Sequence, residues 1–252
     1  MKKITFVLIT MFQVFFNGPA VTWAREVSFQ WFGQACFSIV TSHGTTIITD
    51  PVDFSSRNIP YNIPKEICPD IVTVSHEHGD HNAVNAVSGS PVIIRGLTSG
   101  GKEFANAAAQ FKDVKLITVA SYHDKEMGKN RGLNAIFVFE FDGLRMAHLG
   151  DLGHLLDEKQ IKDIGNIDIL LIPVGGGPTI SAEEAGQLVS RLNPKLLVIP
   201  MHFKSDVVTF MPNSAEDFVT GVKNVKRITG NRYVLDLDQL PKRMEYVVLN
   251  YK

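Results

Sequence analysis

The fold of this chain is constrained above all by a succession of short β-rich segments in its first half, separated by tight turns. The first turn, TSHGT, contains Gly44, which tolerates the positive φ that hairpin turns require. A later pair of alternating apolar runs is joined by Asp142 and Gly143, a typical two-residue hairpin turn. We therefore predict strands over VSFQWF, ACFSIV, TTIITD, DIVTVS, PVIIR, VKLITVA and the two arms of NAIFVFEFDGLRMAHLGD.

In the second half of the chain, strands alternate with helices. Ser181 and Glu184 form a capping box, which marks the start of one helix. We predict helices over GKEFANAAAQF, LDEKQIKDIG, SAEEAGQLVSRLN and SAEDFVTGVKNV, and strands over IDILLIPV, KLLVIPMH, RYVLDL and EYVVLN. Strand meanders mixed with strand–helix alternation predict an α/β protein with two sheets packed face to face and helices outside. No linker divides residues 25–252, so we expect one domain.

The composition excludes some classes of partner. Of 252 residues, 44% are hydrophobic, which is enough to bury a full core. Lys and Arg number 25 against 26 Asp and Glu, so no overall positive field attracts nucleic acid or an anionic membrane surface. We expect a small-molecule substrate and no nucleic-acid partner, and the oligomeric state stays open.

The first 24 residues differ from the rest. Two lysines are followed by an apolar run and then by small residues up to Ala24, the order of a secretory signal peptide, and we predict cleavage near Ala24. The apolar run is short of the roughly 20 residues that span a bilayer, although a retained anchor or a buried helix stays an alternative. Export would place the remainder in the periplasm or outside the cell, where Cys36 and Cys68 could pair; two free thiols are the alternative.

Three histidines and an aspartate are crowded into the motif SHEHGDH, at the end of the strand DIVTVS. His76 and His78 lie two apart on extended chain, so their side chains can point to the same side. Asp80 and His81 follow, where we expect the chain to turn into a helix over NAVNAV. Imidazole nitrogen and carboxylate oxygen are ligands that zinc and similar metals favour. We interpret the motif as part of a metal site, against the alternative of polar loop residues.

Three further candidate ligands each follow an apolar strand. His123 follows VKLITVA, Asp151 follows the second arm of the hairpin, and His202 closes KLLVIP. Loops at strand ends commonly present functional side chains from one edge of a rigid sheet. The alternatives are a loop histidine at His123 and a core histidine at His202.

These motifs resemble the metallo-β-lactamase superfamily. WFGQACFSIVTSHGTTIITDP is similar to its opening strands, SHEHGDH to its signature, and HLGD and PMHF to its later motifs; the nearest resemblance is to the metal-dependent hydrolases that include the ascorbate-phosphate lactonases. The resemblance implies a four-layer αββα sandwich with two divalent metal ions at one edge. The imidazole-rich shell favours zinc, with manganese or iron as alternatives. The ligands implied are His76, His78 and His123 for the first metal, Asp80, His81 and His202 for the second, and Asp151 as a bridge.

The resemblance also implies a hydrolase, in which a hydroxide bridging two metals attacks an ester, lactone, thioester or phosphoester bond, with Asp80 and Asp151 as catalytic residues. The true β-lactamases of the superfamily lack the bridging aspartate, and its di-iron redox relatives usually have an acid in place of His78, so neither activity is expected. A nuclease is not expected, because the chain has no basic stripe. The alternative is a protein that binds or senses with the same fold and metals but without turnover.

Other polar residues near these motifs have two interpretations each. Asp50 either orients a ligand imidazole or only forms an Asp-Pro turn. His148 and His154 either line the site or, as we favour, pack. The loop from Gly175 to Thr179 either binds an anion through backbone amides or, as we favour, lets the chain turn tightly.

Two loops next to ligand-bearing segments, residues 54–64 and 127–133, are expected to form the pocket wall. Arg131 is the cation of interest in the second loop. Glu77 lies inside the motif, but its side chain should face away from the ligands. His43 should be exposed in its turn.

Overall fold

The computed structural model describes residues 25–53 and 59–251. Along these residues the strands are β1 (Glu26–Trp31), β2 (Phe37–Val40), β3 (Thr46–Thr49), β4 (Ile71–Val74), β5 (Val92–Arg95), β6 (Ala108–Phe111), β7 (Val114–Tyr122), β8 (Leu133–Phe141), β9 (Leu144–His148), β10 (Ile169–Pro173), β11 (Leu197–Met201), β12 (Val225–Arg227), β13 (Arg232–Asp236) and β14 (Glu245–Val248). The helices are α1 (Glu158–Ile164), α2 (Ala182–Leu192) and α3 (Ala215–Val219). The predicted signal peptide, residues 1–24, lies outside the described residues.

The strands form two sheets. One has the order β13-β1-β2-β3-β4-β5, and the other has the order β12-β14-β11-β10-β9-β8-β7-β6. In the second sheet β6 to β9 are antiparallel neighbours, whereas β9, β10, β11, β14 and β12 pair in parallel. Strands β7, β9, β10 and β11 therefore run in the same direction, and their carboxyl ends meet at one edge of the sheet.

The apolar residues of the first sheet face two different cores because successive side chains on a strand point to opposite faces. On β4, Ile71 packs into the core between the two sheets, whereas Val72 and Val74 pack into a second apolar cluster on the outer face. Phe137 and Phe139 of β8 are fully buried in the core between the sheets. Burial of each such side chain stabilises the fold by about 1.5–3 kcal/mol.

The helices cover the outer face of the eight-stranded sheet, where α1 contacts β7 and α3 contacts β11 and α2. Each begins with a capping box, at Asp157, Ser181 and Ser214, and the predicted box at Ser181 and Glu184 is confirmed. On the opposite side of the molecule, among the described residues, Ile59, Ile67 and other loop side chains pack over the second apolar cluster. No helix in the described ranges has the length and apolar character needed to cross a bilayer.

Both predicted turns are confirmed: φ is +83° at Gly44, and it is +52° and +74° at Asp142 and Gly143. The helix predicted over GKEFANAAAQF is wrong. A short 3-10 helix, Ser99–Gly101, is followed by β6, since pairing of the alanine-containing segment with β7 at the sheet edge outweighs its helix propensity.

Two other predicted helices are shorter than expected. NAVNAV forms only a 3-10 turn, Val84–Ala86, and α3 ends at Val219, shortly before Gly221 with a φ of +80°. A glycine in the left-handed region commonly ends a helix.

Candidate metal centre

All seven predicted ligands come together at the edge where β7, β9 and β11 end, opposite the end of β4. The motif histidines follow β4, and His123 directly follows β7. Asp151 follows β9 after a short turn, and His202 directly follows β11. The sheet topology therefore brings together side chains that lie far apart in sequence.

Three histidines form the first group of possible ligands. His76 Nε2 lies 3.0 Å from His78 Nδ1, and the ligand atoms of both residues and of His123 all lie within 4.8 Å of one another. Two nitrogens bound to one tetrahedral zinc ion at about 2.0–2.1 Å would lie roughly 3.3 Å apart. His76 and His123 are buried, whereas His78 is exposed at the mouth of the site. The spacing suits one ion shared by three imidazoles.

Asp80, His81 and His202 form the second group, also with ligand atoms within 4.8 Å of one another. His81 Nε2 lies 3.7 Å from Asp80 Oδ2. The two histidines are buried, while the Asp80 side chain keeps 27% of its surface exposed. This group therefore combines a partly exposed carboxylate with two buried imidazoles.

Asp151 lies between the two groups. Its Oδ2 atom is 3.2 Å from His81 Nε2, 3.2 Å from His123 Nε2 and 3.3 Å from His202 Nε2, and it is 3.9 Å from His76 Nε2. The carboxylate is almost fully buried, and its Oδ1 atom has no hydrogen-bond partner among the described residues. A buried carboxylate oxygen without a partner is costly unless it binds a cation.

The electrostatics of three of the histidines suit metal binding. Burial lowers the pKa of His76 well below its ordinary value, and burial also lowers the pKa values of His78 and His202. These imidazoles are therefore neutral at pH 7, which is the form that ligates metals.

The acidic ligands are ionised. Burial acts to raise the pKa of Asp151, but His202 and His81 outweigh burial and hold this pKa well below its usual range. Burial acts to raise the pKa of Asp80 as well, but His81 outweighs it and the pKa is lowered. Burial likewise acts to lower the pKa of His81, yet Asp151 and Asp50 raise it well above its ordinary value. Its Nε2 atom has no hydrogen-bond partner with normal geometry in the described part of the chain. The donor set thus fits divalent cations, and His81 must lose a proton to bind one.

Asp50 is fully buried and holds the motif in place. Its Oδ2 atom accepts hydrogen bonds from Ser75 Oγ at 2.5 Å and from His81 Nδ1 at 2.9 Å, and its Oδ1 atom accepts one from Ser75 N at 2.7 Å. A proton on His81 Nδ1 leaves the Nε2 lone pair for a metal. The first interpretation of Asp50, orientation of a ligand imidazole, agrees with these contacts.

Asp151 is positioned by Asn134 of β8, a residue that sequence reasoning missed. Asn134 Oδ1 accepts a hydrogen bond from Asp151 N at 2.9 Å, and Asn134 Nδ2 donates to Leu149 O at 2.9 Å. Gly150, the residue before Asp151, packs closely against Asn134. Its φ is +54°, and a Cβ there would lie 2.4 Å from Asn134 Oδ1, so a larger residue would clash with it. No signal in NAIFVFEF distinguishes this asparagine from a strand-surface residue.

Gln34, also missed, reaches the second group from the turn between β1 and β2. Its Nε2 atom lies 3.0 Å from His202 Nε2 and 3.3 Å from Asp80 Oδ2. The only sequence signal is its place after Gly33 in WFGQACF, which marks a turn.

The remaining polar candidates lie outside the ligand shell. His148 is buried and packs: its Nε2 contacts Ala35 O at 2.8 Å. His154 accepts a hydrogen bond from Tyr122 N at 3.2 Å and does not line the cleft beside His123. The Glu77 carboxylate binds Arg95.

Two further predictions concern the surface and the thiols. His43 is exposed, as predicted, with Nδ1 3.0 Å from Asp142 Oδ1. Cys36 is buried and Cys68 is exposed, and both are free thiols. Burial raises the pKa of Cys36 far above its ordinary value.

A cleft of about 550 Å³ opens beside His123. Its lining is mostly polar and includes Arg131, Lys125 and Glu184. Arg131, in the second of the two loops predicted to form the pocket wall, lines this cleft. Residues 59–64 do not line this cleft, because Tyr61 and Ile63 are buried in the second apolar cluster; residues 54–58 lie outside the described residues.

At the same cleft, backbone amides of the glycine loop and of the residue after it donate hydrogen bonds to backbone carbonyls. Gly176 N donates to Ile180 O, Thr179 N donates to Gly176 O, and Ile180 N donates to Leu152 O. A Cβ on Gly175 would lie 2.2 Å from His202 O. These contacts favour the tight-turn interpretation over anion binding by these amides.

Comparison with known proteins identifies the family. A family model described as a beta-lactamase superfamily domain matches residues 28–202. A UPF0173 metal-dependent hydrolase from Methanoculleus marisnigri is 31% identical over 227 residues, which cover 81% of this chain and 91% of that protein.

Solved structures agree. A candidate zinc-dependent hydrolase of the metallo-β-lactamase superfamily from Thermotoga maritima superposes with a TM-score of 0.70 at 36% identity, over 88% of this chain and 98% of that one. Igni18, a metallo hydrolase from Ignicoccus hospitalis, shares the fold with a TM-score of 0.61 at 19% identity, over 84% of this chain and 99% of that one. The predicted α/β sandwich is confirmed, and the chain belongs to the metallo-β-lactamase superfamily.

Proposed function

We propose that this protein is a metal-dependent hydrolase that holds two divalent ions, preferably zinc, and cleaves an ester, lactone, thioester or phosphoester bond in a small molecule. The observation that carries the proposal is the position of Asp151. One of its oxygens lies within 3.2–3.3 Å of imidazole nitrogens from both ligand groups. The M. marisnigri relative, named a metal-dependent hydrolase, supports it.

Two bound metal ions would lower the pKa of a shared water to near neutrality and polarise the carbonyl or phosphoryl oxygen of the substrate. The first group, with neutral His76 and His78, would hold one ion, and Asp80, His81 and His202 would hold the other. Asp151 would contact both. Zinc is preferred because five of the seven donors are imidazoles.

The protein's own residues determine where the nucleophile lies. Asp80 is the partly exposed acidic ligand, so its carboxylate can accept a hydrogen bond from an incoming water while the rest of the second group stays buried. Asp151 is ionised and fixed by Asn134. We assign the orientation of the attacking water to Asp80 and the spacing of the two ions to Asp151.

The cleft limits the substrate. Its volume of about 550 Å³ suits a small molecule rather than a polymer. Arg131 and Lys125 both line it, but Lys125 is already paired with Glu184 at 2.5 Å. A small polar substrate is therefore expected.

The proposal is tested by elemental analysis and activity of residues 25–252, purified without chelators or a histidine tag. We expect close to two metal ions per chain and chelator-sensitive hydrolysis of a lactone, thioester or phosphodiester. Asp151→Ala and His78→Ala should lose metal and activity, whereas His43→Ala, a control for an exposed histidine, should keep both.

Full metal content and full hydrolysis in both ligand variants would refute the proposal. Two bound metals without hydrolysis of any substrate tested would instead favour the alternative of a binding or sensing protein. Efficient hydrolysis of nitrocefin would refute the expectation that this is not a β-lactamase.

A further inference from the structure

Gln34 is a buried glutamine in contact with two of the three side chains of the second ligand group. It is 1% exposed, and a single atom, Nε2, lies near both Asp80 Oδ2 and His202 Nε2. An amide nitrogen carries two hydrogens, so it can donate to both acceptors. The contacts therefore match a donor that serves the carboxylate and the neutral imidazole together.

The chemistry of the neighbours fixes the orientation of the amide. With the amide reversed, its oxygen would face the Asp80 carboxylate, which can only accept hydrogen bonds. In the orientation observed, Gln34 Oε1 is buried without a hydrogen-bond partner among the described residues. An unsatisfied buried carbonyl costs about 1–3 kcal/mol. The hydrogen bonds that the Gln34 amide donates must offset this cost.

The backbone of Gln34 is held independently of its side chain. Gln34 O accepts hydrogen bonds from Trp31 Nε1 at 2.9 Å and from His202 N at 3.1 Å. Both Gln34 and His202 have left-handed backbone conformations, with φ of +46° and +50°. Non-glycine residues in this region cost about 1–3 kcal/mol and cluster at functional sites. Changes to the side chain alone should leave this backbone link intact.

We propose that Gln34 is a positioning residue for the second metal ion. Its amide donates to Asp80 and fixes the direction of that carboxylate, and before metal binds it also holds the lone pair of His202 in place. When a cation takes the His202 lone pair, the bond to Asp80 remains. This inference rests on the proposed two-metal function.

The test measures metal affinity rather than activity. Metal-free wild type, Gln34→Ala and Gln34→Leu are titrated with Co²⁺ against a chelator of known affinity, and the visible absorption of each bound ion is recorded. We expect wild type to bind two ions. In both variants the first ion should bind with unchanged spectrum, while the second should bind about 10–100-fold more weakly.

Gln34→Leu is the sharper variant, because it keeps a side chain of similar size but has no hydrogen to donate to Asp80. Gln30→Ala is the matched control: among the described residues, the side chain of this β1 glutamine hydrogen-bonds only with Asn231 Oδ1, at 3.5 Å, and its loss should leave both affinities unchanged. Thermal unfolding of the metal-free proteins shows whether each variant folds.

Wild-type affinity for the second ion in both folded variants would overturn the inference. Failure of wild type itself to take up a second ion would overturn the two-metal function together with this inference, and it would be visible before any variant is compared.

Discussion

Replacement of Asp50 by asparagine should place a proton on His81 Nε2, the nitrogen that would bind the second ion, without changing the shape of the site. The asparagine oxygen must accept from Ser75 N, because a backbone N–H cannot act as an acceptor. The new NH₂ group then faces His81 Nδ1, where the Asp50 carboxylate accepts a hydrogen bond at 2.9 Å. To accept from it, neutral His81 must carry its proton on Nε2, which is the nitrogen needed for the metal.

The magnitude follows from the hydrogen bond that Asp50 accepts from His81 Nδ1. Removing a hydrogen-bonding partner of a metal-ligating histidine typically costs 10–100-fold in affinity. Because the lone pair itself is displaced here, we expect about 100-fold for the second ion, equivalent to about 2.7 kcal/mol. Loss of the hydrogen bond between His81 and the Asp50 carboxylate should also lower the free energy of unfolding of the metal-free protein by about 1.5–3 kcal/mol.

The chain offers a matched control in Asp142. Its side chain is also fully buried, and it accepts hydrogen bonds from Ser42 N at 2.8 Å and from Ser42 Oγ at 2.5 Å, with His43 Nδ1 at 3.0 Å. Asp142→Asn should lose some stability but keep both metal affinities, since this cluster lies at the β8–β9 turn. Chelator competition gives the affinities, and thermal unfolding gives the stabilities.

The tautomer argument would be refuted if Asp50→Asn bound the second ion as tightly as wild type. It would equally be refuted if Asp142→Asn lost as much metal affinity as Asp50→Asn, because the effect would then follow general destabilisation rather than the proton on His81.

Three other predictions concern the glycine loop, the thiols and the effect of pH. Gly175→Ala should lower the free energy of unfolding by about 1–3 kcal/mol and weaken binding of the second ion, because the new Cβ would clash with the backbone at the end of β11. Gly186→Ala in α2 is the control: its Cβ would have no atom within 4 Å, so binding of the second ion should not change. Chelator competition and thermal unfolding check both variants. A thiol reagent at pH 8 should modify Cys68 alone in the native protein and Cys36 only after denaturation, because burial keeps Cys36 protonated; two native reactions would contradict this. Burial acts to lower the pKa of His81, but its neighbouring carboxylates raise it, so this histidine holds a proton that a metal ion must displace. Affinity for the second ion should therefore rise from pH 6 to pH 8, and affinity independent of pH would contradict the argument. In the metal-free protein, the stability contributed by protonated His81 should begin to fall above about pH 6.5, its ordinary pKa, and should go on falling until the raised pKa is passed.

That the seven candidate ligands lie together could be predicted from sequence because three of them, His123, Asp151 and His202, follow recognisable strands. His123 and His202 follow directly after β7 and β11, and the shared direction of these strands brings their ends together. The local spacing of the SHEHGDH motif adds the rest. The apolar runs likewise predicted the strands of both sheets, because alternation on a strand is a local property.

Residues whose role depends on distant contacts could not be predicted. Gln34 meets His202 only because the turn after β1 packs against the end of β11, and Asn134 is one polar residue among many on a strand. The error over GKEFANAAAQF has the same origin, since its alanines favour a helix locally and only pairing with β7 makes a strand.

The ligands of the proposed metal centre are distributed unevenly along the chain, and under that proposal this would affect how the protein acquires its metal. Four of them, His76, His78, Asp80 and His81, lie within one short motif, so an unfolded or newly synthesised chain already carries a weak chelator before either sheet exists. In the proposed metal centre, loading would therefore begin on the unfolded chain, and Asp151 and His202 would complete the shell as the sheets pack. Since a metal that also binds the unfolded state stabilises the folded state less than its affinity suggests, thermal shifts will understate how tightly the finished site binds.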